Sequence, residues 1–207
     1  MLSKFRSIAG LCLFILCVSS ALAQDVKTDP SGAKVKPTPQ PTPDKIGTLK
    51  VDFPEVDGWE LGEPYFYPTP AAGHSVNYDA PGNGRVTVYI YTGGHKKISD
   101  ELSGPVKEEL EMAKAAIKSA GEQGIYDNVK ELKTEKIVLG GTAGKVNVLR
   151  SRFTFSRDGN KLSSEIYIFP YKNNIIKLRV TRPAEAGAEG DASFAKLLSE
   201  IDTLFSK

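Results

Sequence analysis

The chain has 207 residues, 40% of them apolar, 9% aromatic and 25% charged. That composition excludes a wholly disordered polypeptide, and 19 glycines in 207 residues exclude a collagen-like repeat. The formal charge is +2, but Lys4 and Arg6 fall in residues 1–23, which hold no acid; without those two cations the rest balances at zero. There is thus no electrostatic case for nucleic acid or an anionic membrane surface as partner.

Residues 1–23 have the pattern of an export signal. Lys4 and Arg6 supply the charged start, Ile8 through Val18 the apolar run, and Ala21-Leu22-Ala23 a small-x-small cleavage site before Gln24. The stretch from Leu11 to Ala23 is too short to anchor, since a helix rises about 1.5 Å per residue against a hydrocarbon core of about 30 Å. Cleavage after Ala23 predicts a mature chain without a transmembrane segment, secreted or periplasmic. A lipoprotein acceptor at Cys17 is the weaker reading, because Leu16 stands where such boxes carry a small residue. Both cysteines, Cys12 and Cys17, lie in the signal, so the mature chain has no thiol. It must be held by its own core, and Cys nucleophiles, thiolate zinc sites, iron–sulfur clusters and dithiol chemistry are all excluded.

Residues 24–46 carry Pro30, Pro37, Pro39, Pro41 and Pro43 and no aromatic residue. Each proline removes an N–H and biases its predecessor toward extended geometry, so this segment predicts a semi-rigid spacer, with a docking arm as the alternative. Residues 47–207 predict a single folded domain. Thr48–Phe53 and Tyr65–Tyr67 are short extended candidates. His74–Tyr78 and Arg85–Thr92 alternate in polarity around APGNG, which predicts a hairpin: Val86, Val88 and Ile90 share one face, Thr87, Tyr89 and Tyr91 the other. Val106, Leu110, Ala113 and Ile117 then recur at helical spacing, with Pro105 at the first turn and Gly121 or Gly124 closing the far end. Four strands follow, near 126–139, 145–155, 161–171 and 175–182. Their separators GGTAG, SRDGN and KNN are too short for parallel returns and predict an antiparallel meander. After a loop at 183–191, Phe194, Leu197, Leu198, Ile201, Leu204 and Phe205 give a wide apolar helical face. The fold class is therefore α+β: an antiparallel β-sheet packed with a mid-chain helix and a C-terminal helix, in a two-layer or sandwich arrangement.

Trp59 before the first hairpin, the SVNYDAP and VTVYIY strands, and IIKLRVTRP leading to the last helix give an element order that is similar to the PsbP-like fold over about residues 47–207. The resemblance implies an assembly or binding role outside the cytoplasm. It has no diagnostic motif and assigns no residue a role.

Chemical motifs are sparse. GGTAGK lacks the spacing and the Ser or Thr of a phosphate loop and precedes a strand, so it predicts a turn. His74 and His95 sit near the open end of the predicted hairpin, where Asp79 or Asp100 would have to complete a metal site; two surface histidines are the simpler expectation. No cofactor is implied. Two surfaces stand out. Trp59, Tyr89 and Tyr91 belong to an aromatic-rich third and present either a binding face or core covered by the terminal helix or by segment 48–67. Arg150 and Arg152 alternate on one strand and Lys177 and Arg179 on the last; were those strands neighbours with matching faces, the four cations would form a ladder, with a solvated sheet face as the plain alternative. The functional expectation is a non-enzymatic binding or accessory protein acting through a sheet surface on a protein partner or small ligand of the cell envelope. A small-ligand carrier, with an apolar pocket between sheet and C-terminal helix, is the alternative, and a hydrolase with an unrecognised site the third reading.

Overall fold

The computed structural model describes residues 49–80, 82, 84–140 and 144–206, so the expected signal (1–23) and linker (24–46) lie outside the described residues. In chain order the elements are β1 (Glu60–Leu61), β2 (Tyr65–Phe66), a 3-10 turn (Pro70–Ala72), β3 (His74–Ala80), β4 (Gly84–Tyr91), α1 (Pro105–Glu122), β5 (Asp127–Leu139), β6 (Val146–Arg157), β7 (Asn160–Tyr171), β8 (Asn174–Pro183) and α2 (Gly187–Phe205). The strands form one antiparallel sheet in the order β1-β3-β4-β8-β7-β6-β5, with β2 also on β3.

The short connections work as their residues dictate. Asp158 (φ 52°) and Gly159 (φ 77°) turn β6 into β7, and Lys172 (φ 45°) and Asn173 (φ 58°) turn β7 into β8. Two successive left-handed residues match the twist of the flanking strands. Leu139 pairs with Val146 across the GGTAG segment, a hairpin connection as expected, although residues 141–143 themselves lie outside the described residues. The second strand of the N-terminal hairpin, β4, and the last strand, β8, pair directly, which closes that hairpin onto the meander.

Register puts two different cores on the two faces. Val86, Val88 and Ile90 of β4 lie opposite Val180, Leu178 and Ile176 of β8, and the same layer takes in Tyr167, Phe169 and Val148. This face is covered by α2 through Phe194, Leu197, Ile201 and Phe205, and by Leu49, Val51 and Phe53. The opposite face buries Tyr91, Phe153, Phe155, Ile166 and Ile168 against Val106, Leu110 and Ile117 of α1. The layers thus run helix, sheet, helix, with the helices on opposite faces; of the two expected arrangements the sandwich is the one formed. Each fully buried Ile, Leu or Phe contributes roughly 1.5–3 kcal/mol of transfer free energy, so both helices are held chiefly by these apolar stripes.

Two boundaries differ from expectation. Residues 49–55 form no strand; they lie over the α2 face, where Tyr78 Oη donates to the Pro54 carbonyl at 2.9 Å and the Phe53 and Tyr78 rings meet edge to face at 6.5 Å. The last helix begins at Gly187 inside the segment expected to be a loop. Its glycines argue against helix on propensity, but Glu189 suits the positive end of the helix dipole and Gly190 is buried in the packing.

Candidate binding surfaces of the sheet

The five singled-out residues divide between the two faces. Trp59 is buried on the α2 face, and its Nε1–H donates to Ser193 Oγ at 3.1 Å and to the Ser193 carbonyl at 3.3 Å. It ties the N-terminal segment to α2. Tyr91 is buried on the other face beneath α1, where its hydroxyl donates to Glu109 Oε2 at 2.9 Å. Burial, then the Glu109 charge and hydrogen bond, push its pKa well up, so the phenol stays protonated. The covering expected for the tyrosine face is corrected in part: α1 covers Tyr91 and Tyr67 of segment 48–67 reaches Ser75 on that face, whereas the terminal helix and residues 49–53 cover the Val/Ile face, because register places Tyr91 with Ile175 and not with the Val/Ile row.

Arg150 and Arg152 do not join Lys177 and Arg179. Strand β7 lies between β6 and β8, and pairing of Arg150 with Tyr167 and of Arg179 with Ile166 sets the two arginine pairs on opposite faces. The cation ladder is thus excluded by topology. On the α2 face, Glu135 accepts from Arg150 Nη2 at 2.6 Å and lies 3.8 Å from Arg152 Nη2. Hydrogen bonds from Lys133 and Arg150 hold the Glu135 carboxyl down at about 2. Glu165 accepts from Tyr167 Oη at 2.6 Å, with Arg150 at 3.7 Å and Arg182 at 3.8 Å. Arg182 also reaches Asp191 of α2 at 2.9 Å and lies 4.4 Å over the Phe194 ring. The Nε atoms of Arg150, Arg152 and Arg182 have no partner, but the charge of each guanidinium is met through its Nη atoms. This network fastens α2 and β5 to the sheet and leaves little net charge to recognise anything.

The α1 face is different. Helix α1 packs over β5, β6 and β7, and the polar rows of β3, β4 and β8 continue beside it. Ser75 and Asn77 lie opposite Tyr89 and Thr87, which lie in turn opposite Lys177 and Arg179. Thr87 Oγ1 donates to Asn77 Oδ1 at 2.7 Å, and Tyr67 shares a 3.2 Å hydrogen bond with Ser75 Oγ at the β3 edge. Lys177 Nζ stands 4.7 Å from the Tyr89 ring centre and 5.0 Å from that of Tyr91, a doubled cation–π contact. Arg179 Nε–H donates to Ser164 Oγ at 3.1 Å. The sequence shows Lys177 and Arg179 on one face of the last strand but does not show which strand lies beside them. The usable clue was the alternation of Lys177, Arg179 and Thr181 in IIKLRVTRP, which matches Thr87 and Tyr89 once β4 and β8 are adjacent.

The two histidines have different surroundings. His74 is buried at the start of β3 with its ring 5.3 Å from Phe66, and burial lowers its pKa. His95 lies beside Gly93, whose other neighbour is Glu109 of α1. Asp79 is engaged by Arg85 at 2.6 Å, and no cluster of three or more metal-ligating side chains forms among the described residues. Between α2 and the sheet, Phe205 meets Phe169 at 5.5 Å and Tyr171 at 5.2 Å, both edge to face. A shallow cleft of about 480 Å³ opens instead at the far end of α1, between Lys118, Gly121, Tyr126, Asn128 and Glu131. Its charges are paired, Lys118 with Glu131 at 2.7 Å and Lys114 with Glu131 at 2.9 Å. Burial works against ionisation of Glu131, but hydrogen bonds from Lys118 and Lys114 overcome it and hold the carboxyl at about 2.

Fold and surface together define an α+β module built on an antiparallel sheet, with helices mid-chain and at the C-terminal end. No protein-family model matches the chain, and no curated protein matches it in sequence. Among solved structures it is similar to cyanobacterial PsbP (CyanoP) from Synechocystis sp. PCC 6803, at 12% identity, 73% coverage of this chain and 86% of that one, and a TM-score of 0.45. It is also similar to LpqN, involved in cell envelope biogenesis of Mycobacterium tuberculosis (14% identity, 71% and 79% coverage, TM-score 0.34), and to CalU16 from Micromonospora echinospora (12%, 70% and 84%, 0.23). The resemblance to PsbP is one of fold, and no residue role passes across it. No helix of the described residues is long and apolar enough to cross a membrane.

Proposed function

We propose that the protein is an exported, non-enzymatic binding or accessory module that works through the α1 face of β3, β4 and β8. Export rests on the sequence of residues 1–23, with its charged start, apolar run and Ala21-Leu22-Ala23 site. The observation that carries the binding role is the placement of Lys177 and Arg179 on β8, a strand paired on both sides, beside Tyr89, which is partly buried at the margin of the α1 cluster. Central positions of a sheet ordinarily bury apolar side chains, and β8 does so on its other face with Ile176, Leu178 and Val180. Cations beside a phenol at that position suit recognition of a polar, acidic partner surface, since Tyr and Arg bring apolar area together with hydrogen-bonding ends.

The test compares two surface variants of the mature chain as baits in its native envelope fraction, read by quantitative mass spectrometry of co-purified material. Tyr89→Ala combined with Lys177→Glu is expected to lose what the wild type retains, and Arg152→Glu on the opposite face to keep it. The reverse pattern would place the function on the α2 face and overturn the proposal.

A further inference from the structure

The geometry points to a small oxyanion site on the α1 face in which Arg179 is the anchor, taking the carboxylate or phosphate group of a ligand. This rests on the reading of that face as the binding surface and names the chemistry it selects. Arg179 sits mid-strand between Thr87 of β4 and Ile166 of β7. Its Nε–H is fixed by Ser164 Oγ at 3.1 Å, which sets the plane of the guanidinium. Nη1 and Nη2 make no hydrogen bond within the described residues, and neither is sealed from solvent. Every other described arginine meets a carboxylate: Arg85 meets Asp79, Arg150 and Arg152 meet Glu135, Arg157 meets Asp158 and Arg182 meets Asp191. Arg179 meets none. The titratable groups within its electrostatic reach are the phenols of Tyr126 and Tyr89.

An arginine cannot discard its proton in a protein, so this charge persists despite the burial that pulls its pKa down. A desolvated guanidinium without a counter-ion costs stability that an apolar side chain of similar length would not. Its free Nη fork has the spacing to hold two oxygens of one carboxylate or phosphate, and charge-assisted pairs of that kind are the strong ones. Lys177, two residues along the same face, adds a second positive charge beside the Tyr89 ring. The bound oxyanion replaces the missing protein carboxylate.

The mature chain is titrated with sodium phosphate and with sodium acetate, each against sodium chloride at matched ionic strength, following the thermal midpoint and the 15N–1H signal of Arg179 Nε. A saturable stabilisation beyond the chloride control is expected, together with a saturating shift of the Nε signal; the anion that saturates at lower concentration identifies the ligand's group. Arg179→Gln is expected to fold with undiminished stability and to bind at least tenfold more weakly, and Arg179→Lys, which keeps the charge but not the fork, to fall between. A response equal to that of chloride, an unmoved Nε signal in the wild type, or full binding by Arg179→Gln would overturn the site. If this titration fails while Tyr89→Ala with Lys177→Glu still loses its captured partner, the surface reading survives and only the oxyanion assignment falls.

Discussion

The indole of Trp59 and the phenol of Tyr91 both direct their polar ends into the protein, to Ser193 and to Glu109. Their hydrogen bonds make them packing residues with a satisfied polar tip, which a sequence cannot distinguish from recognition residues because the residue types are the same. His74 is the opposite case. It is buried, and its Nδ1 has no partner. Burial lowers its pKa below the ordinary 6.5, so the native state favours the neutral ring and the unfolded chain takes up the proton first. The stability this contributes is complete above pH 6.5 and is lost as pH falls through the folded-state pKa. Urea denaturation at pH 7.5 and pH 5 therefore predicts a marked loss for the wild type and a smaller loss for His74→Leu. Identical losses for both proteins would show that the ring is free to ionise in the native state.

At the scale of elements, the seat of α1 on the sheet is set by one close approach. A Cβ built on Gly121 would lie 2.7 Å from Val129 Cγ2, nearer than side chains tolerate, so glycine is what lets the end of the helix come down onto β5. Two effects oppose each other in Gly121→Ala. The helix gains up to about 1 kcal/mol in propensity, while overpacking costs roughly 1–3 kcal/mol against a β-branched neighbour. Overpacking wins when Val129 is present, so Gly121→Ala alone destabilises. In a Val129→Ala background the 2.7 Å contact is gone, only the 3.3 Å approach to the residue-129 Cβ remains, and the same substitution costs less or becomes neutral. Denaturant midpoints of the four proteins measure this, and an effect of the same sign and size in both backgrounds would mean that the helix end shifts away from β5. Gly73, between the 3-10 turn and β3, admits no such rescue: its φ is 61° and a Cβ would fall 1.9 Å from the Ile90 carbonyl oxygen.

The elements themselves were largely legible. Period-2 alternation located β3 and β4, the 4-3-4 spacing of Val106, Leu110, Ala113 and Ile117 located α1, and turn residues separated the meander strands. Which strands pair was not legible, because alternation assigns a side chain to one of two faces without saying which faces coincide. That is why Arg150 and Arg152 looked like companions of Lys177 and Arg179, and only the pairing of β4 with β8 and the insertion of β7 separate them. The start of α2 was missed for a different reason: Gly187 and Gly190 weigh against helix locally, and tertiary packing of Gly190 outweighs them.

For the molecule as a whole, the two helices give the two faces different roles. On the α2 face, charge is cancelled in a network of Glu135, Glu165, Arg150 and Arg182, and the remaining surface is apolar core. On the α1 face, the helix leaves the β3, β4 and β8 rows to Tyr89, Lys177 and the unmatched Arg179. A chain balanced in charge outside its first segment can therefore still hold, on this face, a described arginine that no carboxylate meets. Backbone amide chemical shifts mapped over the mature chain during the phosphate and acetate titrations test this division most directly. The account predicts perturbations gathered at Ser164, Thr87, Tyr89, Lys177 and Arg179, with β5 and the β6 arginines unmoved. Perturbations centred on Arg150, Arg152 and Arg182 would contradict it.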